Sequence, residues 1–183
     1  MYYTVNDTET FDGFQYLDGL NNLTNIFGDN KKILTFTTAE HIHNLYLDGK
    51  FIREVILPSD RNDLQIIDVG SYSKRANHII LGKKYDLSNT NDLKDILQIN
   101  NNVESIIHMA SSNGYTNILD WFVTHPEYEF KYTGYAIDHA SGFGRTNVLD
   151  WFASHPEYEF KYTFRAIDGA SLFGHTNVLD WFA

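Results

Sequence analysis

Two histidines one residue apart, His41 and His43 in "EHIHNL", are the first side chains of this 183-residue chain with the chemistry of a metal site. On a strand both imidazoles would share a face, whereas on a helix residues i and i+2 diverge. Thr37 followed three residues later by Glu40 is a capping-box signal, so a helix is expected here and the pair splits. No third ligand is evident. Cysteine is absent, which removes thiolate sites and any disulfide framework. No glycine-rich phosphate loop of the P-loop or dinucleotide type occurs either. Neither a metal nor a cofactor is expected.

Asp-Trp-Phe occurs three times, beginning at Asp120, Asp150 and Asp180. A carboxylate beside an indole has the chemistry of a docking motif. On a helix, however, adjacent Trp and Phe serve neighbouring interfaces of a stack, and the carboxylates are expected near the first turn, where negative charge suits the helix dipole. His125 and His155 precede prolines and belong to a turn.

The elements that must carry these residues come from a repeat. "HPEYEFKYT" stands at 125–133 and again, unchanged, at 155–163. Gly114, Gly144 and Gly174, like Trp121, Trp151 and Trp181, fall thirty residues apart, a period typical of stacked repeats. Within a unit, Ile137, Ala140 and Ser141 mark a short first helix that Gly144 would end. Thr146 can cap a second helix with Val148, Leu149 and Phe152 on one face, and Pro156 marks its end. The alternation of Tyr158, Phe160 and Tyr162 with charged residues then suits an extended finger.

The copies can be compared with one another. The columns of Ile107, Ala110, Ser111 and Gly114 never change and form a packing stripe. Those of Met109/His139/Gly169, Ser112/Gly142/Leu172 and Tyr115/Arg145/His175 vary, and a stripe that varies without harming the stack should face solvent and read a partner. The finger residues Glu127, Tyr128, Glu129 and Lys131 are secondary candidates for contact.

The N-terminal segment shows no copy of the repeat. "KILTFTT", "FIREVILP", "LQIIDV" and "NHIILG" read as strands, and "AEHIHNLYLDG" reads as a helix. "SNTNDLKDILQINNN" reads as a connecting helix. Fourteen basic against twenty-four acidic residues leave a net charge of −10, with no basic patch for nucleic acid or anionic membrane. The absence of a signal-like start or a long apolar run points to a cytoplasmic protein with no membrane span.

"YAIDHASGFGRTNVLDWF" and "RAIDGASLFGHTNVLDWF" resemble the ankyrin repeat pattern T-P-L-H-x-A-A-x-x-G-H-x-x-V-V-x-x-L-L. Ile137 and Ile167 stand for its Leu, Ala140 and Ala170 for its first Ala, Gly144 and Gly174 for its Gly, and His175 for the following His. The Thr-Pro is missing, Asp138 and Asp168 replace its first His, and the period is 30 rather than 33. "FQYLDGLNNLT", "ILTFTTAEHIHNLYLDGKFIREVILP" and "ANHIILGKKYDL" are similar to the N-terminal region of ankyrin-repeat proteins of giant, mimivirus-type DNA viruses. "REVILP" also loosely resembles part of ADP-ribosyltransferase-like folds, with Glu54 as the one acidic candidate, but matching Arg, His or Ser-Thr-Ser motifs are absent.

The resemblance implies an α+β N-terminal domain (1–88), a connecting helix (89–102), and an all-α ankyrin-like solenoid of three 30-residue units (103–183), the last incomplete. It implies a noncatalytic scaffold that binds a protein, host or viral, through the concave first-helix face. The positions before the Gly commonly contact ligands in ankyrin proteins. The candidate anchors are Tyr115, His139, Phe143, Arg145, Leu172 and Phe173. The alternative is an N-terminal domain that acts as a divergent transferase or a separate binding module, with the repeats as adaptor. Trp181 and Phe182, left uncapped in the third unit, carry a further expectation of self-association.

Overall fold

Runs of β-branched and aromatic residues broken by polar turns pair into strands through the first half of the chain. The computed structural model describes residues 1–7, 10–11, 14–23, 34–46 and 49–183. It divides into two units, Met1–Leu87 with Gln98–Asn100, and Ser88–Leu97 with Asn101–Ala183.

The described strands of the first unit are β1 (Tyr2–Asn6), β2 (Thr10–Phe11), β3 (Phe14–Gln15), β4 (Gly19–Asn22), β5 (Phe36–Thr38), β6 (Phe51–Ile56), β7 (Ile66–Val69), β8 (Ser73–Ala76) and β9 (His78–Asp86). Seven of them form an antiparallel sheet in the order β4-β9-β6-β1-β5-β8-β7, while β2 pairs with β3. Tyr16, Leu34, Phe36, Val55, Ala76, Ile79 and Leu81 close its core. Each Leu, Ile, Val or Phe side chain among them contributes about 1.5–3 kcal/mol on withdrawal from water, before entropy is counted. Ile52 and Val55 are both buried although three residues apart, because the β6–β9 register shifts between Arg53 and Val55.

Of "KILTFTT", residues 32–33 lie outside the described residues, as do 47–48 of "AEHIHNLYLDG". The expected helix at this point is a 3-10 helix over Ala39–Leu45. Its N-cap is Thr38, not Thr37, and makes no side-chain cap bond. Glu40 therefore falls one residue short of the position a capping box needs.

The helices are α1 (Leu93–Ile99), α2 (Val103–Asn113), α3 (Thr116–Thr124), α4 (Tyr135–Gly142), α5 (Thr146–Ser154), α6 (Phe164–Leu172) and α7 (Thr176–Phe182). From α2 onward they come in pairs, and the first helices α2, α4 and α6 pack side by side. Gly114, Gly144 and Gly174 end those first helices at φ of 80°, 73° and 72°. Behind each glycine the next N–H reaches back to the carbonyl of Ala110, Ala140 or Ala170 at 2.8 Å, satisfying an end carbonyl. The Thr residues expected to cap the second helices are their first residues; Tyr115, Arg145 and His175 hold the cap positions without a side-chain bond.

The expected fold class is corrected in its second part. The N-terminal sheet with its 3-10 helix is compatible with an α+β domain, but the C-terminal residues form a set of short helix pairs joined by turns and coil, not an ankyrin-like solenoid. The residues that would set the solenoid's geometry are missing: no Thr-Pro opens α4 or α6. Asp138, standing in place of the pattern's His, is buried and accepts from the N–H and hydroxyl of Thr163 at 2.8 and 2.7 Å.

Candidate functional site

The invariant columns build the support beneath the variable ones. Ile107, Ala110 and Ser111 are buried, as are Ile137, Ala140 and Ser141. The Asp-Trp-Phe triplets tie successive pairs together. The Trp151 indole N–H donates to Asp120 at 2.6 Å, and that of Trp181 donates to Asp150 at 2.8 Å. The helix-dipole reading of these carboxylates is corrected, since α3, α5 and α7 carry no acidic residue in their first turn, and Asp120 and Asp150 instead accept from the next unit's Trp. The invariant Asn residues form a second ladder, from Asn117 to the carbonyl of Ser88, Asn147 to Gly114 and Asn177 to Gly144. Trp121 stacks on His125 at 3.8 Å, and Trp151 on His155 at 4.0 Å.

Above this support, α4 presents Tyr135, His139 and Phe143 at i, i+4 and i+8, along one helical row. The His139 ring lies 6.0 Å from Tyr135 and 6.3 Å from Phe143. Phe143 is 53% exposed although α4 has α2 on one side and α6 on the other. Arg145 donates from Nε to the Ser112 carbonyl at 3.0 Å, and the hydroxyl of the same Ser112 is 3.3 Å from His139 Nδ1. Ser112 thus brings His139 and Arg145 together. Leu172 and Phe173 lie one unit on, at the positions of Gly142 and Phe143, and are 78% and 66% exposed. Tyr115 is half-buried and precedes α3. The variable columns do not all face solvent, since Met109 and Ser112 are buried.

Burial lowers the pKa of both His108 and His139. For His108, the nearby Glu104 opposes that effect and His139 adds to it; for His139, Asp138 opposes and Arg165 adds. The Thr133 N–H donates to His108 Nε2 at 3.3 Å, an arrangement that needs the neutral ring.

A groove of about 400 Å³ opens between successive units, lined by Thr133, Gly134 and Tyr135 on one side and Thr163, Phe164 and Arg165 on the other. Sequence reasoning passed over it. Its signal was the variation of Gly134/Phe164 and Tyr135/Arg165 directly after the repeated HPEYEFKYT segment, which ends in Thr133 and Thr163.

The sheet unit places the remaining candidates in structural roles. Glu54 accepts from the Lys83 N–H at 3.1 Å and the Tyr85 hydroxyl at 3.0 Å, beside the register shift. His41 lies against Tyr72 at 4.3 Å, and His43 Nδ1 is 3.5 Å from the Asn100 amide. Among the described residues, no group of three His, Asp or Glu side chains is placed to hold a metal. None of the helices described is long and apolar enough to cross a membrane.

No protein-family model matches the chain, and no solved structure matches it. Three relatives are proteins of Acanthamoeba polyphaga mimivirus. One, named an ankyrin repeat protein, is 36% identical over 129 residues, which are 65% of this chain and 64% of the relative. A second, an uncharacterized protein, is 36% identical over 130 residues, 65% of this chain and 94% of its own length. A third, again named an ankyrin repeat protein, is 31% identical over 127 residues, 66% of this chain and 27% of its own. The chain thus spans less than two thirds of each relative that carries the ankyrin name.

Proposed function

This chain belongs to the mimivirus-type ankyrin-repeat proteins, and from that membership we propose that it is a noncatalytic repeat protein that binds a protein partner along its first-helix row. The row comprises Tyr115, His139, Phe143, Arg145, Leu172 and Phe173. The observation that carries the reading is Phe143. An aromatic ring 53% exposed on a helix with neighbours on both sides, in line with Tyr135 and His139, is the kind of anchor that interfaces bury. The invariant Ile, Ala, Asp, Asn and Trp residues hold the pairs in place, which leaves the variable positions to differ from unit to unit.

The test separates binding from folding. Phe143, Leu172 and Phe173 are exposed, so changing all three to Asp leaves helical circular dichroism and the melting profile intact and abolishes capture of the partner from host-cell lysate. Tyr115→Ala, His139→Ala and Arg145→Ala, made singly, weaken capture. Undiminished capture by the triple variant would remove the site assignment.

A further inference from the structure

The first-helix row leaves the chemistry of its partner open, and the groove beside it narrows that chemistry. We propose that the groove lined by Thr133, Gly134, Tyr135, Thr163, Phe164 and Arg165 receives an acidic peptide segment of the partner, with one bulky apolar side chain seated in the groove and a carboxylate on Arg165. This rests on the first-helix row being the binding face.

The volume of about 400 Å³ accommodates a single aromatic or long aliphatic side chain. Its walls are apolar where that side chain would lie, since Tyr135 is half-exposed and Phe164 is 71% exposed. The Arg165 guanidinium sits 5.8 Å from the centre of the Tyr135 ring, which holds the cation at the groove's rim.

Three carboxylates of the adjoining segments are engaged elsewhere. Asp138 spends both oxygens on Thr163, Glu129 pairs with Lys131 at 2.8 Å, and Glu159 pairs with Lys161 at 3.3 Å. Neither Arg165 nor Arg145 forms an ion pair with a carboxylate among the described residues. In a chain of net charge −10, Arg165 at the groove's rim is a local charge of the opposite sign. A guanidinium set on an aromatic ring with its donors unspent suits a carboxylate. The groove also runs on into the row, because Tyr135 is followed by His139 and Phe143 on the same helix face. A segment anchored in the groove can therefore continue along α4.

The experiment uses the full chain and two fluorescein-labelled peptides: one with a single tryptophan flanked by two glutamates on each side, and its counterpart with glutamines. Fluorescence anisotropy is expected to show about tenfold tighter binding of the glutamate peptide. Arg165→Gln removes that preference, Tyr135→Ala weakens both peptides, and circular dichroism is unchanged in each. Equal binding of the two peptides, unchanged preference in Arg165→Gln, or no binding of either up to about 1 mM overturns the proposal. If the Phe143, Leu172 and Phe173 triple variant loses partner capture while Arg165→Gln captures fully, the groove assignment fails and the row stands. Capture unaffected by both sets of changes defeats the two together.

Discussion

The carboxylate of Asp120 and the indole of Trp151 meet at 2.6 Å across two successive units. Trp151 is buried, so Asp120→Ala strands a desolvated N–H and should cost about 1–2 kcal/mol. A double-mutant cycle with Trp151→Phe, read by urea unfolding, is expected to give a coupling of about 1 kcal/mol; zero coupling would return Asp120 to an independent role. A second prediction concerns protons. With the folded pKa of His108 and His139 lowered by burial, the unfolded chain takes up protons first as pH falls below the ordinary histidine value of 6.5. Stability is therefore full above about pH 6.5, declines as pH falls toward the lower folded values, and changes no further from this cause below them. His108→Gln should flatten part of that slope in unfolding curves taken at several pH values; an unchanged slope would show that burial at His108 is not its source. Sequence could name Asp120 and Trp121 as invariant, but not that the Asp of one unit meets the Trp of the next. That pairing depends on how helices separated by a turn and a coil come to lie together.

Among helices and their turns, the glycines were the most readable residues. Gly114, Gly144 and Gly174 were expected to end the first helices, and each does so at positive φ, where a Cβ is strained. Their surroundings separate them. A Cβ on Gly144 would lie 2.7 Å from Nδ1 of His175, whereas one on Gly174 would meet nothing within 4 Å. Gly174→Ala should thus cost only the backbone strain, about 1 kcal/mol, and Gly144→Ala should lower the melting temperature further because His175 must move. Equal melting temperatures would mean that His175 swings aside freely. Starts were harder to read than stops. The capping-box pair at Thr37 and Glu40 is one residue out of phase with the N-cap at Thr38, and the Thr before each second helix is already inside it. A Thr side chain signals a nearby helix start, but the backbone decides which residue is the cap.

Over the whole chain, the period of thirty and the change to strand-like patterning before residue 88 were visible in the residues themselves. The solenoid was carried by the period of thirty together with the resemblance, and Asp138 shows where the ankyrin pattern parted from the structure, by tying itself to Thr163 where the pattern has a His. The candidate row was legible as variation, yet exposure was not, since Met109 and Ser112 vary and are buried while Phe143 repeats in the next unit and is exposed. Burial depends on the neighbouring helix, which a single unit's periodicity does not contain. Binding of a protein partner along the first-helix row is tested most directly by hydrogen–deuterium exchange of the full chain with and without the captured partner. Slowed exchange is expected in residues 135–145 and 164–173, with Met1–Leu87 unchanged. Slowed exchange confined to Met1–Leu87 would contradict the row and move the binding face to the sheet.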